Sequence, residues 1–361
     1  MNTINTLIKP TRSCNLRCKY CFHEKYGYDN NLLDMNKLKK YIDLLSQTYN
    51  HINIIWHGGE PLVVPLTYYE EIYDYCKKKN ALFTYSMQTN GTLLNQENID
   101  FFKANKTNIG ISFDGLGNEN TRSHTKETLK GIALLQKNNY YPGAIIVING
   151  DNVNNLIEEY EYFKSLNLSM KLNPMFNDGA AINNALYLNA DDYINNFIKL
   201  FKYWYRDNNC NINVTTCEEL ISLIFNKHSY VCTHNSCLGK WLCLDSDGEI
   251  YPCDRLCTNE YSLGNIDNIN SINEVFLNDN FLKLLKYSVA RRNECIKNCK
   301  YYKNCYAGCN SNAILSQENN YNQSCYIQKA ILQEILNYLN NLNNNISHIN
   351  QNHQKSLIRK I

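Results

Sequence analysis

Six short apolar runs, each followed by a segment of helical period, extend from the N-terminus to about residue 207 of this 361-residue chain. The strand candidates are "NTLIKP" (5–10), "INIIWH" (52–57), "LFTYSMQ" (82–88), "NIGISFD" (108–114), "GAIIVIN" (143–149) and "SMKLNPM" (169–175). Helical period falls between them at about 35–49, 66–79, 95–105, 126–138 and 152–166, and again at about 190–207. Regular β-α repeats of this kind impose a parallel sheet with right-handed crossovers, either open or curled into a partial barrel. In such sheets the chemistry collects beyond the carboxyl ends of the strands. The unusual residues of this chain stand there: "SCNLRCKYCF" after the first strand, "HGGEP" after the second, "QTNGT" after the third and "SFDG" at the end of the fourth.

After about residue 215 the repeat stops. "DSDGEIYPCD" reads as a short hairpin turning at Asp247-Gly248, and a domain boundary is expected near 215–230. The expected organisation is a barrel over 1–220, a second domain over 221–340 and a polar tail over 341–361. The tail is entered from an amphipathic helix beginning near 326.

The apolar fraction of 44% is that of a globular protein, and a net charge of +2 gives no reason to expect nucleic acid as partner. No run of 18 apolar residues occurs, so no membrane span is expected. The N-terminus lacks a basic stretch followed by an apolar one. A cytoplasmic location follows as the expectation, and there disulfides are disfavoured. Sixteen cysteines then need another explanation. Cys76, Cys210 and Cys217 are scattered and read as small buried apolar residues. The other thirteen are clustered, which points to metal ligands or catalysts.

Cys14, Cys18 and Cys21 fall within eight residues. A structural zinc takes four ligands, so His23 would have to complete a Cys3His site. Thiolates are equally the ligands of iron–sulfur clusters. Three of them leave one iron of a four-iron cluster open to a small molecule. A second field holds Cys232, Cys237, Cys243, Cys253, Cys257, Cys295, Cys299, Cys305, Cys309 and Cys325. Zinc ribbons are the alternative there, but ten cysteines exceed what two zinc sites use and His234 is the sole histidine between Cys232 and Cys325.

The spacing Cys14-x3-Cys18-x2-Cys21, with Tyr20 before the last cysteine, resembles the signature of the radical S-adenosylmethionine (AdoMet) enzymes. The resemblance implies a partial (β/α)6 TIM-like barrel and a [4Fe-4S] cluster on the three cysteines, its open iron binding the amine and carboxylate of AdoMet. Cleavage of AdoMet then gives a 5′-deoxyadenosyl radical. "GGEP" (Gly58, Gly59, Glu60, Pro61) resembles the loop that holds the methionine amino group. Ser112 and Arg122 resemble the positions contacting ribose and carboxylate, and guanidinium suits a carboxylate clamp. Gln88, at a strand end, is a weaker candidate for facing substrate.

The segment from Cys232 to Cys325 is similar to a SPASM domain, which carries two auxiliary [4Fe-4S] clusters. Carried over, one would use Cys232, Cys237, Cys253 and Cys309, and the other Cys295, Cys299, Cys305 and Cys325. Two features depart from that pattern. Three residues rather than two separate Cys295 from Cys299, and Cys243 and Cys257 are additional.

"YPCD" places Asp254 directly after Cys253. With "TLIKPTRSCNLRCKYCF" and "SLGNI", this resembles the anaerobic sulfatase-maturating enzymes, in which the matching aspartate is the catalytic base. The implied reaction oxidises a Ser or Cys of a protein or peptide substrate to formylglycine, with a flavodoxin- or ferredoxin-like protein as reductant. The alternative is a maturase that installs thioether or carbon–carbon crosslinks in ribosomal peptides by the same radical chemistry. Those often carry an N-terminal peptide-recognition domain. Only 13 residues precede Cys14 here, which favours the first reading. A non-catalytic iron–sulfur electron carrier would explain the later cysteines but not the three-cysteine loop, the GGEP loop or the barrel.

Overall fold

The computed structural model describes residues 2–176, 178–182, 185–225, 231–235, 237–315, 317–318 and 321–346. The alternation seen in the sequence is realised as β1 (Thr3–Ile8), α1 (Met35–Thr48), β2 (His51–Trp56), α2 (Leu66–Lys77), β3 (Leu82–Thr89), α3 (Gln96–Ala104) and β4 (Asn108–Ser112). Then follow α4 (Asn118–Thr121), α5 (Thr125–Lys137), β5 (Gly143–Ile148), α6 (Leu156–Ser165), β6 (Ser169–Pro174) and α7 (Ala190–Arg206). The six strands are parallel neighbours in the order β6-β5-β4-β3-β2-β1. This is the expected α/β partial barrel.

Strands β2 to β6 have two unlike faces, as period-two side-chain alternation requires, whereas Thr6, Leu7 and Ile8 of β1 are all buried. Ile52, Ile54 and Trp56 of β2, with Ile109 and Ile111 of β4, are buried in the main apolar core with the helices. The opposite set is half-exposed and largely polar: Asn53, Ser86, Gln88, Ser112, Lys171 and Asn173. A cavity of about 530 Å³ opens among Ile55, Ser86, Gln88, Gly110 and their neighbours, within the range that holds a small ligand. The helices start where capping residues place them. Asp34 accepts from the backbone of Asn36 and Lys37, and Asn189 from that of Asp191 and Asp192.

Beyond the barrel come α8 (Thr215–Phe225), β7 (Trp241–Leu244), β8 (Ile250–Tyr251), α9 (Ile272–Leu277), α10 (Asp279–Asn298), α11 (Tyr302–Cys305), α12 (Asn310–Leu315) and α13 (Gln323–Ile346). The expected hairpin is β7–β8. It is not a separate layer: β7 pairs in parallel with β1, Ile8 opposite Leu244, so the sheet runs on to eight strands with β8 at its edge. Helix α13 packs on α7 and so closes the later segment against the barrel. Residues 226–230 of the expected boundary, and 347–361 of the expected tail, lie outside the described residues. No described helix is long and apolar enough to cross a membrane.

Candidate active site

Because β1 to β4 are parallel, their carboxyl ends share one rim, and the four rim motifs meet around the cysteine loop. Gly59 N donates to Thr11 O at 3.1 Å and Glu60 N to Ser13 O at 2.9 Å. A Cβ on Gly59 would stand 2.2 Å from Ser13 O, and one on Gly58 (φ +117°) 2.5 Å from Thr11 O. Both glycines are therefore required by the backbone of the loop that leads into Cys14. From β3, Asn90 Nδ2 donates to Asn15 Oδ1 at 2.9 Å, and Asn15 Nδ2 to Thr92 Oγ1 at 2.8 Å. Lys19 N donates to Thr121 O at 2.9 Å, and Ala180 N to Cys21 O at 3.0 Å. The loop carrying Cys14, Cys18 and Cys21 is thus held by main-chain bonds from three segments and by the side chains of Asn90 and Thr92.

Glu60 is buried. It accepts from Leu62 N at 2.9 Å, Thr89 Oγ1 at 2.6 Å and Asn90 N at 2.7 Å. Burial nonetheless pushes its carboxyl above the usual range. Arg122 Nη1 donates to Tyr20 Oη at 2.9 Å, and the Tyr20 hydroxyl donates in turn to Asp114. Asp114 also accepts from Thr121 Oγ1 at 2.6 Å and Val147 N at 3.0 Å. Burial opposes charge on Arg122, but the ionised forms of Tyr20, Cys18 and Asp114 nearby raise its pKa overall. Arg122 thus stands beside Cys18 as a fixed cation. Gln88 Nε2 donates to Ser112 Oγ at 2.9 Å, so these two candidates form one unit on the concave face.

The thiols group as their chemistry requires. Burial, with Glu60, Cys18 and Cys21 adding, pushes Cys14 up to about 12. Cys232 is exposed, with Cys309 and Cys237 the thiols that act on it most. Burial and then Cys309 raise Cys237 to about 11, and burial, Asp254 and Cys309 raise Cys253. Cys305 rises to about 12 by burial, with Cys325, Cys295 and Cys299 contributing. Two four-thiol sets in mutual electrostatic contact result, Cys232/237/253/309 and Cys295/299/305/325. Among the described residues no three His, Cys, Asp or Glu side chains close on a single metal-ion position. Four-thiol sets are the donor sets of polynuclear iron–sulfur clusters. Thiols bind metal as thiolates, so loading a cluster on such a set would release protons.

Asp254 begins a turn of 3-10 helix, Asp254–Leu256, immediately after Cys253. Cys253 Sγ donates to its Oδ1 at 3.4 Å. Lys9, just past the end of β1, donates to the carbonyl oxygen of Asp254 at 3.4 Å, so the Asp254 main chain lies against the barrel rim.

Lys9 and Arg12, within "TLIKPTRSCNLRCKYCF" but given no role by the sequence, also belong to the site. Lys9 is fully buried and donates to Asp245 Oδ2 at 3.3 Å and to the carbonyl oxygen of Asp254 at 3.4 Å. Arg12 joins the same carboxylate at 3.0 Å and reaches Asp247 at 2.8 Å. Burial disfavours charge on Asp245, but Lys9 and Arg12 hold it below the usual carboxylate range. The cysteine loop is thereby tied to the β7–β8 hairpin. An apolar strand ending in a lysine was the only sequence signal for this tie.

Comparison with known proteins agrees with this geometry. The family model described as the radical SAM superfamily matches residues 8–163. The chain is 28% identical over 355 residues to a cysteine-type anaerobic sulfatase-maturating enzyme of Clostridium novyi (strain NT), covering 91% of this chain and 93% of that protein. It is 27% identical over 279 residues to a serine-type anaerobic sulfatase-maturating enzyme of Klebsiella aerogenes, covering 72% of this chain and 69% of that one. Among solved structures, native anSMEcpe with bound AdoMet and peptide superposes with a TM-score of 0.84 at 25% identity, covering 95% of this chain and 99% of that one.

Proposed function

We propose that this chain, which carries a radical SAM domain, is an anaerobic sulfatase-maturating enzyme that oxidises a Ser or Cys residue of a protein substrate to formylglycine. The observation that carries the reading is Asp254: a carboxylate beside a thiol of one four-thiol set, its main chain against the rim on which the three-cysteine loop sits.

Cys14, Cys18 and Cys21 would hold the cluster on which AdoMet would supply a 5′-deoxyadenosyl radical for removing a hydrogen atom from substrate Cβ, and the two later four-thiol sets would hold auxiliary clusters offering an acceptor for the second electron. The rest falls to this chain's residues. Glu60, fixed by three donors, presents carboxylate to the methionine ammonium, with Gly58 and Gly59 bringing the rim close. Arg122, braced by Tyr20 and Asp114, faces the methionine carboxylate, and the Gln88–Ser112 unit offers polar groups to the ribose. Asp254 accepts the proton of the substrate hydroxyl or thiol. A serine then becomes the aldehyde directly. A cysteine gives a thioaldehyde, which water converts to the aldehyde with release of hydrogen sulfide.

The auxiliary ligands in this reading are Cys232, Cys237, Cys253 and Cys309 for one cluster and Cys295, Cys299, Cys305 and Cys325 for the other. The barrel comprises residues 1–220 and the SPASM domain 221–340, followed by a polar tail. A flavodoxin- or ferredoxin-like protein supplies electrons, and a reducing cytoplasm keeps the thiols available. Asp254→Asn tests the assignment. It should still cleave AdoMet to 5′-deoxyadenosine while aldehyde formation falls by about 10²–10⁴-fold, the range for loss of a general base. Aldehyde formation at the wild-type rate would remove Asp254 from the reaction.

A further inference from the structure

Cys243 and Cys257 belong to neither four-thiol set. Cys243 lies on β7 opposite Leu7 and Tyr251, and Cys257 ends the turn that begins at Asp254. Both are buried, in a small apolar cluster with Leu7 and Tyr251. Their Sγ atoms stand 3.9 Å apart. Cys257 Sγ accepts from Lys9 Nζ at 3.1 Å and donates to the carbonyl oxygen of Asp254 at 3.2 Å. Lys9 Nζ reaches that same carbonyl oxygen at 3.4 Å. A buried thiol pair thus shares its hydrogen bonds with the main chain of the proposed base.

We propose that Cys243 and Cys257 form a redox-active dithiol that closes reversibly to a disulfide and so controls the position of Asp254; the second half of this rests on the role given to Asp254 above. Closure requires the sulfurs to approach from 3.9 Å to about 2.05 Å, a movement of about 2 Å in all. Because β7 is held in the sheet between β1 and β8, the turn carrying Cys257 makes the larger part of that movement. The Cys257 sulfur then loses the proton it donates to the Asp254 carbonyl, and Lys9 loses one of its acceptors.

The oxidant is a peroxide, which is small enough for so closed a site. One thiol sulfur attacks the O–O bond, releasing water and leaving a sulfenic acid. The second sulfur displaces the hydroxyl as a second water. Two thiols supply two electrons to one peroxide, and the disulfide is the only new bond in the protein. The enzyme would then retain AdoMet cleavage but not complete the oxidation of its substrate until a dithiol reopened the pair.

The test uses iron-loaded enzyme kept free of oxygen and treated with one equivalent of hydrogen peroxide. Disulfides are mapped by non-reducing peptide mass spectrometry and iron is measured. We expect a Cys243–Cys257 disulfide with iron retained, unchanged 5′-deoxyadenosine formation, and aldehyde formation reduced tenfold or more and restored by dithiothreitol. Cys257→Ser, compared with its own untreated activity, should be insensitive to the same treatment. Loss of iron before any Cys243–Cys257 disulfide forms would overturn the proposal, as would a disulfide that leaves aldehyde formation unchanged. The untreated enzyme's aldehyde yield reports separately on the proposed function, so the two readings fail independently.

Discussion

Glu159 sits under the rim, buried, its Oε2 accepting from Leu116 N at 3.0 Å. Burial, aided by the charge of Asp114, raises it from 4.5 to about 7. The folded chain therefore keeps a proton there that the unfolded chain releases. Stability should fall as pH rises from about 4.5 to about 7 and stay lower above. Glu159→Gln keeps the acceptor and removes the charge. It should abolish that part of the pH slope and be more stable at pH 8 by on the order of 2–3 kcal/mol, read by denaturant titration at pH 5 and pH 8. At this scale the sequence was legible where ligands are close together in the chain. Cys14, Cys18 and Cys21 announce themselves by spacing. Asp114 and Lys9 do not, because their partners come from far away: Asp114 binds Tyr20, and Lys9 binds Asp245. Nothing local in "IKP" or "SFDG" shows such a pairing.

Among elements, strands β2 to β6 and the six helices of the barrel were readable because each of these strands separates a buried face from a half-exposed one and each helix keeps an apolar stripe. Helices α8, α9 and α10 were not read in advance. In α10 the period is obscured by apolar residues left in solvent, Leu282, Leu285, Val289 and Ile296, on a helix that also carries Cys295. Nor did the pattern reveal that the hairpin would extend the barrel sheet. That join is electrostatic as well as main-chain, with Lys9 and Arg12 both on Asp245. Asp245→Asn leaves a fully buried ammonium without its counter-charge and should destabilise by about 3–5 kcal/mol. Thermal unfolding of the iron-loaded protein checks this, and an unchanged midpoint would mean that the Lys9 ammonium is compensated elsewhere.

In the function proposed for the whole molecule, a barrel that would hold AdoMet is joined to a cysteine-rich segment that would take up an electron, with Asp254 at the seam. The density of thiols in the later segment is the sequence feature that points to metal, whereas its two proposed ligand sets come from resemblance. Fully loaded protein should contain about twelve irons per chain, three clusters of four. Cys305→Ala should lower this to about eight while leaving AdoMet cleavage. A wild-type value near four would remove both auxiliary clusters. The most direct measurement of the central claim is mass spectrometry of a sulfatase-derived peptide, in serine and cysteine forms, after anaerobic turnover with AdoMet and a reductant. An aldehyde is expected at that residue, seen in the serine peptide as loss of two hydrogens, formed together with 5′-deoxyadenosine. An intact peptide, or one crosslinked within itself, alongside 5′-deoxyadenosine would contradict it.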